Sequence, residues 1–141
     1  MSEEIDTPSE VNIIVNRLND FFRYPVYTWS LAKKRALLLL GVLARWNPSM
    51  GPLYQDQLIH MCGLEVGSTS GPNALRALKI AIRRNIGITF RAQGNALNRV
   101  YTFENRDHRE AILTFLDGTH SGLNIYEYLL TELEQHRRRV W

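Results

Sequence analysis

Six cations, Arg76, Lys79, Arg83, Arg84, Arg91 and Arg99, fall between Val66 and Phe103, a stretch without a single acidic residue. Every carboxylate side chain lies outside it, from Glu3 to Glu65 and from Glu104 to Glu134. The formal net charge of +3 is therefore a segment of +6 and a remainder of −3. One-signed patterning of this kind builds a focused positive field, which suits a polyanion better than a small neutral ligand. Spacing adds shape to the charge. At about 100° per residue, Leu75, Leu78 and Ile82 share one side of a helix, flanked by Ala74 and Ala81. Arg76, Lys79 and Arg83 gather on the opposite side, with Asn73 and Ile80 beside them. A DNA major groove admits an α-helix, and Arg and Asn suit bidentate contacts with guanine and adenine edges. A lone Arg reads as surface solvation. A face of three, continued by Arg91 and Arg99 with no acid across 38 residues, favours nucleic acid.

Other chemistries find less support. His60 and Cys62 are two apart on a helix, so they point in different directions, and no second ligand pair accompanies them. His108, His120 and His136 show no partnered Ser, Cys or Asp arrangement resembling a triad. The carboxylates sit at helix caps and on solvent faces, without the pairing that acid/base work needs. The glycines from Gly63 to Gly71 suggest a phosphate cradle only superficially, since no Gly-Lys-Ser/Thr follows and no strand precedes. A connector is the better reading. Lys33, Lys34 and Arg35 read first as a solvated helix turn and second as extra phosphate contacts. The expectation is a binding protein, not an enzyme, with no cofactor and no metal.

The elements that hold these residues follow from periodicity and punctuation. Thr7-Pro8-Ser9-Glu10 reads as a capping box with proline in the first turn, opening a helix over 7–23 that Pro25 ends. Its stripe is Val11, Ile14, Val15, Leu18, Phe21 and Phe22. A second helix runs from Thr28 or Ser30 to Trp46, with Asn47-Pro48 as the stop. Apolar nearly all round, it is the one on which others pack. A short helix spans Tyr54 to Cys62 and ends at Gly63; the next runs from Ser70 or Gly71 to Asn85. Ile86, Ile88 and Phe90, then Tyr101 and Phe103, alternate as a β-hairpin with a turn-rich tip over Ala92–Asn98. Asp107 and Asn124 look like the caps of two C-terminal helices within 107–139. The fold class expected is mainly α with a small β-hairpin, an α+β chain forming one domain over 1–141.

The order helix, helix, helix, hairpin over residues 28–104 resembles the winged helix-turn-helix superfamily, here flanked by N- and C-terminal helices. Tyr54 to Leu64 looks like the first helix and turn glycine of such a motif. The stretch after Gly63 is longer than the tight turn these motifs usually have. The resemblance implies that Asn73–Asn85 is a recognition helix and Ile86–Phe103 a wing. Asn73 and Arg76 would then reach base edges, because the N-terminal residues of recognition helices do so. Lys79, Arg83 and Arg84 would contact phosphates, which position the protein without reading sequence. On the wing, Arg91, Gln93, Asn95, Asn98 and Arg99 are donors that a minor-groove or phosphate contact would use; a plain surface hairpin is the competing reading.

The outer helices either cover the core or pair with a second copy through Val11–Phe22 together with Tyr126, Leu129, Leu130 and Leu133. The expectation is a homodimer that binds double-stranded DNA as a transcriptional regulator, by occupying its operator. Two alternatives stay open: a winged-helix protein adaptor in a nucleic-acid-processing complex, and a plasmid or phage partition or replication protein. The longest apolar run, Ala36–Ala44, has nine residues, too short for a membrane span. Cys62 has no intramolecular partner, and MSEEIDTPSE lacks the basic start and apolar run of a signal peptide. The expected setting is the cytoplasm, or the nucleus of a eukaryote.

Overall fold

Helix α2 (Leu31–Arg45) is the element around which the rest is arranged. Ser30 caps it, its Oγ accepting from the Lys33 N–H at 3.1 Å. Every residue from Ala36 to Ala44 is buried, because neighbours meet the helix on all sides. The computed structural model describes residues 9–23, 28–64, 70–95, 98–117 and 122–140. Its elements are α1 (Glu10–Phe21), α2, a 3-10 turn at Pro48–Met50, α3 (Gln55–Met61), α4 (Ser70–Asn85), β1 (Phe90–Gln93), β2 (Val100–Phe103), α5 (Arg106–Leu116) and α6 (Gly122–Val140). The chain is mainly helical with one two-stranded antiparallel hairpin, the α+β class that the periodicity predicts.

Helices α3, α4, α5 and α6 all pack on α2, and α1 lies along α5. A single cluster of buried apolar side chains runs through all of them. Phe22 links α1 to this core, its ring 5.3 Å from Trp29 and 6.0 Å from Phe115 between centroids. Gly41 lets α6 approach α2 closely: a Cβ there would fall inside the Tyr126 ring. Among the described residues, no helix is long and apolar enough to cross a membrane.

Several boundaries differ from the sequence expectation. Ser9, not Thr7, caps α1, its Oγ accepting from the Asn12 N–H at 3.1 Å. Thr7, Pro8 and Pro25 lie outside the described residues, and α1 already ends at Phe21. Asn105, not Asp107, caps α5, accepting from the Asp107 N–H at 2.8 Å. In both cases two capping residues stand two apart, and tertiary packing selects between them. Asn124 lies inside α6, which begins at Gly122; burial of Ile125, Tyr126 and Leu129 sets that helix. Strand β1 starts at Phe90, not Ile86. Ile86 and Ile88 are fully buried, so their alternation records anchoring of the link in the core, and Gly87 turns the chain with φ +89.

Candidate nucleic-acid interface

Leu75, Leu78 and Ile82 turn α4 inward and fix which face it shows to solvent. That face carries Asn73, Arg76, Ala77, Ile80, Arg83 and Arg84, all exposed. Burial and charge are therefore divided along the helix as the 3.6-residue period requires. Ion pairs formed by other cations join Arg23 to Asp20, Lys34 to Glu132 and Arg45 to Asp117. Among the described residues, none of the six cations of the acid-free stretch has a carboxylate within 4.0 Å. Among the described residues, no carboxylate offsets their charge.

Lys79 is placed differently from its neighbours. It is half-buried, with Nζ 4.2 Å from the centroid of the Tyr101 ring, a cation–π contact that fastens α4 to β2. Tyr101 also donates from its hydroxyl to Gln55 Oε1 at 2.6 Å, and both side chains are buried. Backbone contacts reinforce this clamp. The Gln55 N–H donates to the Arg99 carbonyl at 2.9 Å, and Tyr54 forms an isolated antiparallel bridge with Val100. The hairpin is thus held by α4 from one side and by the start of α3 at its outer edge. Sequence reasoning missed this tie, since no local period reports a pairing 46 residues long.

The hairpin pairs Phe90 with Phe103, Arg91 with Thr102, Ala92 with Tyr101 and Gln93 with Val100. Directly opposed residues share a face, so Arg91, Gln93, Val100 and Thr102 lie on one side. The other side carries the Phe90 and Phe103 rings, 5.5 Å apart. Arg91 and Gln93 are exposed, whereas Arg99 is half-buried. At the tip, the Asn95 N–H donates to Asn98 Oδ1 at 3.2 Å and the Asn98 N–H to Asn95 Oδ1 at 3.3 Å. These two side-chain oxygens close the turn. Residues 96 and 97, part of the expected tip, lie outside the described residues, as do residues 65–69 of the expected connector between α3 and α4.

One cation joins the surface from far away in sequence. Arg17 of α1 donates from Nη1 to the Ile86 carbonyl at 3.3 Å, beside the C-terminal end of α4, where a positive charge is favoured. Nothing in the acid-free segment announces it. By contrast, the basic run at the start of α2 is engaged within the chain: Lys33 Nζ lies 4.8 Å over the Phe21 ring and Lys34 pairs with Glu132 at 3.4 Å.

The remaining reactive groups have structural settings. His108 is buried; its Nδ1 accepts from the Thr89 N–H at 3.4 Å, and its Nε2 lies 3.8 Å from Glu10 Oε2. Burial pushes the Cys62 thiol from an ordinary 9.0 up to about 12, the opposite of an activated nucleophile. Among the described residues, no three His, Cys, Asp or Glu side chains converge as a metal site requires. A cleft of about 1090 Å³ opens beside β2, walled by Trp46, Leu53, Tyr101 and Phe103; it is mostly apolar. The chain matches no protein-family model, no curated protein and no solved structure.

Proposed function

We propose that this chain binds double-stranded DNA, inserting α4 into the major groove and bracing it with the β1–β2 hairpin. The observation that carries the reading is the set of exposed, carboxylate-free cations on the outward face of α4. Arg83 and Arg84 stand near the helix C-terminus, where the macrodipole offsets part of their repulsion. Arg76 sits mid-helix, and no carboxylate among the described residues pairs with it. A phosphate backbone supplies the missing counter-charge and releases bound counterions when it does so.

The arrangement also supports the winged helix-turn-helix reading. Helices α2, α3 and α4 precede a hairpin whose outer edge is bridged by Tyr54, just before α3. In this reading Asn73 and Arg76 reach base edges, Arg83 and Arg84 hold phosphates, and Arg91 and Gln93 extend the contact from the wing. Lys79 acts mainly by fastening the hairpin to α4. Occupancy of a target site, and with it transcriptional regulation, is the action that such a surface supports without chemistry on the DNA.

A two-fold dimer completes the proposal, because two reading helices about 34 Å apart match successive major grooves. Ile14, Leu18, Phe22, Tyr126 and Leu129 are buried within the chain itself, so the contact falls to the exposed Tyr128 and Leu130 of α6. Sedimentation at micromolar concentration should give twice the mass of 16.3 kDa; a monomer at that concentration contradicts the dimer and leaves DNA binding standing.

The direct test of DNA binding is fluorescence anisotropy at low salt with a duplex selected by the protein from a random-sequence pool. The Arg76→Ala, Arg83→Ala double variant should bind at least tenfold more weakly, since replacing a base-reading arginine alone costs roughly 1–3 kcal/mol. Both positions are solvent-facing and their loss relieves like-charge repulsion, so thermal stability should not fall. Equal affinity of the two proteins overturns the proposal.

A further inference from the structure

At the centre of the cationic face of α4 stands an aliphatic side chain, Ile80, half exposed at 50%. It lies two residues from Leu78 and two from Ile82, about 200° of helical rotation from each, so it points almost directly away from the core. Its neighbours on the same face are Asn73 and Ala77 on the turns before it and Arg84 on the turn after, all exposed. Arg76 and Arg83 flank it. Helix stability gives no reason for this residue, since Ile is a poorer helix former than the Ala at position 77. Nor does it belong to an apolar patch, because polar and charged side chains and one small alanine surround it.

We propose that Ile80 reads the 5-methyl group of a thymine in the major groove, so that the target carries a required thymine beneath the middle of α4. This rests on the reading of α4 as the DNA-inserting helix. Thymine presents its methyl in the major groove alone, and an apolar side chain is what contacts it. The β-branched side chain of Ile holds one strongly preferred χ1 rotamer in a helix. It is therefore ordered before contact and loses little freedom on docking. Ala77, one turn earlier, leaves the approach open. Arg83 and Arg84 then hold phosphates while Ile80, beside Arg76, meets a base edge.

The test begins by selecting bound duplexes from a pool of random sequence about 20 base pairs long. In the selected duplex each thymine is then replaced in turn by deoxyuridine, which removes only the methyl. At one position the wild-type protein should lose about fourfold in affinity, the value of one buried methyl. Ile80→Ala, a solvent-facing change that keeps the helix, should bind the thymine and deoxyuridine duplexes equally. Discrimination that persists in Ile80→Ala, or its absence at every position in the wild type, overturns the assignment of Ile80 and leaves DNA binding intact. Failure of the wild type to retain any duplex at low salt overturns the DNA reading, and the assignment with it.

Discussion

Helices α1 and α4 are built alike on one side and differently on the other. Each turns an apolar stripe inward, Ile14 and Leu18 in one, Leu75, Leu78 and Ile82 in the other. The outward side of α1 mixes Glu10, Asn12, Asn16, Arg17, Asn19 and Asp20. Its charges are of both signs and have contacts within the chain: Asp20 pairs with Arg23, and Arg17 donates to the Ile86 carbonyl. The outward side of α4 carries only positive charge. Like charges three or four residues apart cost a helix about 0.2–0.5 kcal/mol per pair, and the Arg76–Lys79 and Lys79–Arg83 spacings accumulate such terms. A polar face suffices for solubility. A face of one sign, with no pairing carboxylate among the described residues, costs the helix stability.

That contrast is sharpened by substitutions that separate stability from binding. The largest effect belongs to the end of α1: Phe22→Ala, at its C-cap, removes a ring packed on Trp29 and Phe115 and should cost about 3–5 kcal/mol of unfolding free energy, measured by denaturant titration. Its DNA affinity, measured where the variant remains folded, should match the wild type. The Arg76→Ala, Arg83→Ala variant should show the reverse, full stability with weakened binding. If both variants lose binding in proportion to stability, the two helices do not differ as described.

A smaller effect separates the core from the cationic face by pH. Burial raises Cys62 from 9.0 to about 12 and Tyr126 from 10.0 to about 12. Both groups hold their protons more tightly in the folded chain, so this contribution to stability is complete below the unfolded values and is lost as pH rises toward 12. Between those limits each group should lower stability by about 1.4 kcal/mol per pH unit. Cys62→Ala should flatten the alkaline slope in a series of urea titrations. Alkaline loss of DNA binding should follow that unfolding.

Much of this architecture was legible in local sequence. The all-round apolar run of α2 marked the central helix, the 3.6-residue period split α4 into core and charged faces, and glycines at 63 and 87 marked its neighbours' ends. Those features depend on residues a few positions apart. What escaped notice depends on distance. The Gln55–Tyr101 hydrogen bond and the Tyr54–Val100 bridge require α3 and β2 to meet, which no local pattern encodes. Lys79 was read as one cation among equals because its partner, Tyr101, lies on another element. The Asn95 and Asn98 oxygens face each other's backbone across the tip, a turn role that their donor amides do not announce. Arg17 escaped for the same reason in reverse: its place beside α4 is settled by the packing of α1.

The most direct measurement of the central claim is the salt dependence of duplex affinity. If the free cations of α4 and the hairpin neutralise phosphates, log affinity should fall linearly with log salt, with a slope steeper than about −3, since each phosphate contributes about −0.9. The slope should become shallower by about one for each phosphate-contacting arginine replaced, Arg83 first among them. An affinity indifferent to salt, or a slope unchanged in Arg83→Ala, would contradict the account.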